Sequence, residues 1–120
     1  MPLPSTLRGT PVATELELLQ GTLDLIVLKT LTWGPMHGYA VARWVRETTE
    51  DSIAIEDGAL YTALHRMERH GWVSAEWGLS ENNRKARYYQ LTAAGRRQLR
   101  RQAEQWTRYS LAVAKVLQTA

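Results

Sequence analysis

Residues Ile55 to Trp77 read IEDGALYTALHRMERHGWVSAEW, and the reading of this stretch decides the fold. Asp57 is the expected N-cap, with helix-compatible residues from Ala59 to His70 and a stop at Gly71. At about 100° per residue, Leu60, Ala63, Leu64 and Met67 fall on one side as a narrow apolar stripe. The opposite side carries Gly58, Thr62, His65 and Arg69, flanked by Ala59, Tyr61 and Arg66. Small and hydrogen-bonding residues come first on that face and cations follow. A helix that enters a DNA major groove needs this order: close approach, then donors for base edges and phosphates. An ordinary amphipathic surface helix would carry the same stripe. The residues around it favour the first reading.

After Gly71, Trp72 to Trp77 alternates as a strand does, GLSENN supplies a turn, and Arg84 to Leu91 (RKARYYQL) returns in extended fashion. This is a hairpin with a basic return strand. Tyr88 and Tyr89 point to opposite faces, so at least one belongs to the core. From Thr92, a good N-cap, a last helix runs nearly to the end. Its positions Leu99, Ala103, Trp106, Ser110, Val113 and Leu117 follow a four-three spacing, the a/d seam of helices packing on helices. Packing of that helix on its own domain is the alternative to a seam between subunits.

Upstream, residues 1–13 hold three prolines and read as an N-terminal arm. A helix is expected from Thr14 or Glu15 to Gly34-Pro35, unless Gly21 divides it. Leu23, Leu25, Ile26, Val27, Leu28 and Leu31 cover nearly its whole circumference. So apolar a helix is hard to bury in a small domain, and part of it, Leu23 included, is expected to meet a second subunit. The next helix spans His37 to Thr49, with Val41 and Val45 inward, Arg43, Arg46 and Glu47 outward, and Trp44 at the edge of the apolar sector. Ser52 to Ile55 has room for a short strand. The order helix, helix, strand, helix, hairpin, helix is that of a winged helix-turn-helix, a mostly α (α+β) fold with a long C-terminal dimerisation helix. The expected division is an arm at 1–13, a DNA-binding domain at 14–91 and a dimerisation helix at 92–120.

Charge supports the same partner. The chain has 120 residues, 44% hydrophobic and 22% charged, enough for one globular domain. Residues 1–60 carry four Lys/Arg against eight Asp/Glu, and residues 61–120 carry eleven against four. Arg84, Lys85, Arg87, Arg96, Arg97, Arg100 and Arg101 occur with no acid between Asn82 and Ala103. A basic run beside a candidate reading helix points to a polyanion. No window approaches the roughly 18 apolar residues of a membrane span, and the N-terminus has no apolar signal core. With no cysteine there are no disulfides or thiolate metal sites. A cytoplasmic protein is expected.

Four segments, GTLDLIVLKTL, GPMHGYAVA, DGALYTALHRMERHGWV and RKARYYQLTAAGRRQL, make the chain resemble the PadR-like transcriptional regulators over about Gly21 to Leu99. HGY, LY-x-x-L-x-R and YY-x-LT-x-x-G are specific in this order and spacing; each alone would be weak. The resemblance implies a homodimeric winged-helix DNA-binding protein, usually a repressor of nearby genes and often responsive to a small molecule. A single helix after the wing resembles the short branch of the family. Ala59 stands where the family often has Ser or Thr, and Thr62 where it often has Pro, so base contacts do not carry over at those two positions. Trp44 stands where a polar residue is usual.

The residues expected at double-stranded DNA are Tyr61, Thr62, His65, Arg66 and Arg69 on the helix, with Arg84, Lys85 and Arg87 on the wing. Tyr61 has two uses open to it, a phosphate contact or packing against the wing. The expected dimer interface comprises Leu23, Leu99, Ala103, Trp106, Ser110, Val113 and Leu117. Trp106 is placed at or near the symmetry axis, flanked by small Ala103 and Ser110. There it either fills the interface or lines a pocket; the resemblance adds that some drug-responsive relatives bind flat aromatic ligands in such a space. No cofactor is expected. His65 and His70 lie roughly 140° apart around the helix and cannot share a metal from one face. No catalytic motif is present, so an enzyme is not expected. The competing reading is a winged-helix module for protein–protein contact, which has no need of a polycationic ribbon.

Overall fold

The computed structural model describes residues 20–119. The expected start of the first helix at Thr14 and the arm at 1–13 lie outside them. Helix α1 spans Gln20–Thr30 and tightens into a 3₁₀ turn, Leu31–Trp33, before Gly34-Pro35. The two-residue strand β1 (Met36–His37) leads into α2 (Gly38–Thr48), followed by α3 (Asp57–Arg69). Strands β2 (Val73–Leu79) and β3 (Lys85–Leu91) form the wing, and α4 spans Ala93–Leu117. The sheet order is β1-β3-β2, antiparallel throughout, with Met36 opposite Tyr89 and Val73 opposite Leu91. This is a winged helix-turn-helix with a long C-terminal helix.

The stripe of α3 is the centre of the core: Leu60, Ala63, Leu64 and Met67 are all buried. Val27, Leu28 and Leu31 meet them from α1 and its turn, Val41 and Val45 from α2, and Tyr89 and Leu91 from β3. Burying each large aliphatic side chain stabilises the fold by about 1.5–3 kcal/mol. Tyr89 is the core member of its pair, and burial pushes its phenol above the ordinary value.

Glycine and caps set the ends of α3. Its N-cap is Glu56, one residue before the expected Asp57, which opens the first turn where a carboxylate suits the helix dipole. At the other end Gly71 takes φ +76°, Trp72 N–H donates to the Met67 carbonyl and Gly71 N–H to that of Glu68. That is a Schellman stop, and it aims the chain into β2. Thr92 caps α4 by accepting from Gly95 N–H at 3.0 Å. A Cβ on Gly95 would lie 2.0 Å from the Trp72 carbonyl oxygen, so only glycine lets α4 start against the base of the wing.

Three expectations need correction. The strand at Ser52–Ile55 is reduced to a single bridge residue, Ile53; Thr49 Oγ1 accepts from Ile53 N–H, and Glu50 and Asp51 turn the chain at φ 52° and 65°. The strand that does form before the wing is β1, whose second residue, His37, reads as the first of the next helix. Leu23 is buried in the core of its own chain and offers no surface to a second subunit. α1 is largely covered from within: α4, α2 and α3 pack against it, leaving Leu25 and Ile26 half-buried.

Candidate nucleic-acid interface

Along α3 the face opposite the core is open, as its spacing requires. Gly58, Thr62, His65 and Arg69 are exposed, and Ala59 is half-buried at the flank. Tyr61 is half exposed, and its ring lies over the start of α2, 3.5 Å from where a Cβ on Gly38 would sit. It therefore packs against the N-terminal end of α2 and keeps an edge in solvent.

Arg66 departs from this face. Its guanidinium turns inward and pairs with Asp24 of α1, whose side chain is 5% exposed. Burial raises the Asp24 carboxyl above its ordinary value, against the opposing pull of Arg66 and then His70. Arg66 thus ties α3 to α1 and is not placed to meet a phosphate. Its expectation as a DNA contact is corrected, because the buried acid is a stronger claim on the cation than solvent is.

The wing closes a groove of about 870 Å³ against α3 and the start of α2. Tyr61 and His65 line it from α3, Arg84, Lys85 and Arg87 from the wing, so five of the eight expected residues share one space. Thr62 and Arg69 are exposed on α3 but lie outside its walls. Arg87 is partly held: its Nη2 donates to Glu68 Oε2 of α3 at 2.7 Å, fixing the wing to the helix. Asn83 (φ 58°) makes the turn, with Ser80 N–H donating to the Arg84 carbonyl, so Arg84 leaves the turn toward solvent.

Sequence reasoning missed the α2 side of the groove. His37 caps α2, its Nδ1 accepting from Ala40 N–H at 3.1 Å, and its ring meets Tyr88 edge-on at 5.4 Å. Tyr88 in turn donates to the Leu79 carbonyl and lies across Gly78, where a Cβ would be 3.1 Å from its ring. Tyr39 is exposed beside this cap with the Arg43 guanidinium 5.6 Å over its ring. The HGY motif is therefore a joint: cap, close approach for Tyr61, and an exposed phenol on the groove. Its spacing after Gly34-Pro35 was the available signal.

A helix face open to close approach and a wing of cations beside one groove make a candidate nucleic-acid interface. The model of the transcriptional regulator PadR-like family matches residues 27–101. The chain belongs to that family. A PadR family transcriptional regulator from Eggerthella lenta is 34% identical, with 88% of this chain and 89% of that one covered and a TM-score of 0.74. A transcriptional regulator from Clostridium thermocellum is 27% identical over 80% of this chain and 90% of its own, TM-score 0.73. A PadR family transcription regulator from Clostridium difficile is 26% identical over 79% and 97%, TM-score 0.68. The family is one of transcriptional regulators, not of enzymes.

Among the described residues no three of His, Asp and Glu gather to hold a metal, and no helix is long and apolar enough to cross a membrane. His70 stacks on Trp72 at 4.5 Å. Trp44 gains an account: half-buried, it meets Trp33 at 6.4 Å and walls an apolar recess with Leu25, Ile26, Ile53, Leu99 and Ala103. Leu99 packs against the core, and Ala103 is half-buried beside it. Beyond them the seam is open: Trp106 is 47%, Val113 39% and Leu117 77% exposed, with Ser110 half-buried.

Proposed function

We propose that the protein is a sequence-specific, duplex-DNA-binding repressor of nearby genes that acts as a homodimer in the cytoplasm. The observation that carries the DNA reading is the groove itself: Tyr61 and His65 of α3 and the cations Arg84, Lys85 and Arg87 of the wing line one space beside the open face of the helix. Thr62 and His65 read base edges, Tyr61 and Arg69 reach the backbone, and Arg84, Lys85 and Arg87 meet phosphates. Residues 14–91 form the DNA-binding part and 92–120 the dimerisation helix.

The dimer reading is supported by α4. Its 25 residues extend about 37 Å, and beyond Ala103 it carries an apolar face with no cover from its own chain among the described residues. Pairing of such faces places two α3 helices about 34–36 Å apart, one turn of DNA. Trp106 sits at or near the axis and fills it, since interfaces favour Trp; a flat aromatic inducer stacked there is the second use of the same residue.

The test is retardation of the DNA upstream of the gene by purified protein, against random duplex, with sedimentation in parallel. Preference for the upstream fragment and a dimer at micromolar concentration are expected, and Val113→Asp should give a monomer. No preference over random DNA would leave the protein-contact module as the better account, and a monomeric wild type would remove the dimer. Planar aromatic cations that quench Trp emission and release DNA from wild type but not from Trp106→Ala would mark an inducer site.

A further inference from the structure

The wing has an inner face whose character changes along its length. Its cross-strand pairs are Val73–Leu91, Ala75–Tyr89, Trp77–Arg87 and Leu79–Lys85. The first two pairs close the core. Trp77, on the same face, is 61% exposed and lines the groove with Tyr61 and His65. An indole left open there does no core work, yet it is not without contacts. The Lys85 ammonium stands 4.8 Å from its ring centroid and the Arg87 guanidinium 5.8 Å, both within the roughly 6 Å range of cation–π attraction. Arg87 is directly opposite Trp77 and Lys85 is its diagonal neighbour. Arg87 also holds Glu68, so ring, cations and α3 form one connected set.

We propose that Trp77 is a positioning residue of the DNA interface: its ring holds Lys85 and Arg87 extended over the groove, ready for phosphates. The inference rests on the DNA-binding reading above. A free lysine or arginine loses rotamer freedom when it is fixed by a ligand, and each such ordering weakens binding by about two- to tenfold. A ring already beneath both cations removes part of that loss before DNA arrives. The indole neutralises neither cation: Lys85 keeps its full charge for the duplex, while Arg87 shares its own with the half-exposed Glu68.

The experiment uses the full chain and the duplex that wild type prefers. Trp77→Ala should bind about three- to tenfold more weakly on every sequence, with the ranking of sequences unchanged and the melting temperature kept. Trp77→Phe, which retains a weaker ring face, should recover part of the loss. In the Lys85→Ala/Arg87→Ala background, Trp77→Ala should have no further effect. Without DNA, the Lys85 side-chain proton resonances should lie upfield in wild type and return to ordinary values in Trp77→Ala. Unchanged binding by Trp77→Ala overturns the proposal, as do Lys85 resonances that the substitution does not move. A loss that persists in the doubly substituted background also overturns it, since the indole would then touch DNA itself. A wild type that binds no duplex overturns the DNA reading and this inference together; a wild type that binds while Trp77→Ala binds equally overturns this inference alone.

Discussion

Arg66 and Arg87 each face a carboxylate across two elements, and the two pairs serve different ends. Arg66 meets Asp24, whose side chain is 5% exposed, and joins α1 to α3. Arg87 meets Glu68 at 2.7 Å, but both partners keep about a third of their side-chain surface in solvent. A buried carboxylate must keep its counter-ion or lose its charge, so Arg66 belongs to the fold. A half-exposed carboxylate is screened by water and holds its cation lightly. The depth of the acid, more than the position of the arginine on its element, decides whether the cation faces inward or outward.

Substitution can sharpen that contrast. Arg66→Met should destabilise the protein by about 3–5 kcal/mol, because it strands the Asp24 carboxylate in the core. Chemical denaturation at neutral pH measures this. The deficit should shrink on acidification. Burial already raises Asp24, and loss of Arg66 raises it further, so the folded variant takes up a proton before the unfolded chain does. Stability of the variant relative to wild type therefore improves as pH falls through the raised value toward the ordinary carboxylate range. A deficit that grows on acidification would contradict the assignment.

Next in size is the reading face. Thr62→Ala and His65→Ala should leave folding intact and change the ranking of operator variants by about 1–3 kcal/mol at an affected base pair. Binding to a panel of single-base variants measures it. If these two substitutions weaken all sequences alike while wing substitutions reorder them, the roles of helix and wing are exchanged. The smallest effect is expected at the exposed pair: Arg87→Met should cost under about 1 kcal/mol of stability in the same denaturation assay. A cost comparable to that of Arg66→Met would erase the distinction between the pairs.

Much of this architecture is legible in the chain because its signals are local. The stripe of α3, its glycine stop, the hairpin and the Thr92 cap each depend on residues within a few positions of one another, and all are found. Asp57 misleads by one residue because acids suit both a cap and a first turn. The parts that cannot be read join distant positions. Asp24 and Arg66 are 42 residues apart, and β1 has only two residues, too few for a period, with its partners Tyr88 and Tyr89 far downstream. Leu23 reads as a subunit contact because a helix apolar all round gives no sign of how many neighbours its own chain supplies. Likewise, periodicity and charge point to groove residues on two elements, while His37 comes from the end of β1 and Tyr39 and Arg43 from α2.

The central claim is that duplex DNA docks across α3 and the wing, with the open face of α3 toward its bases and the wing cations on its phosphates. Its most direct test is the salt dependence of affinity for the preferred duplex, in wild type and in Arg84→Ala/Lys85→Ala. Wild type should show a steep fall of log affinity with log salt, and the variant a slope shallower by about 0.9 for each phosphate it no longer neutralises. The variant should also bind more weakly on all sequences, with their order kept. A flat response in wild type, or an unchanged slope in the variant, would contradict the placement of DNA across α3 and the wing.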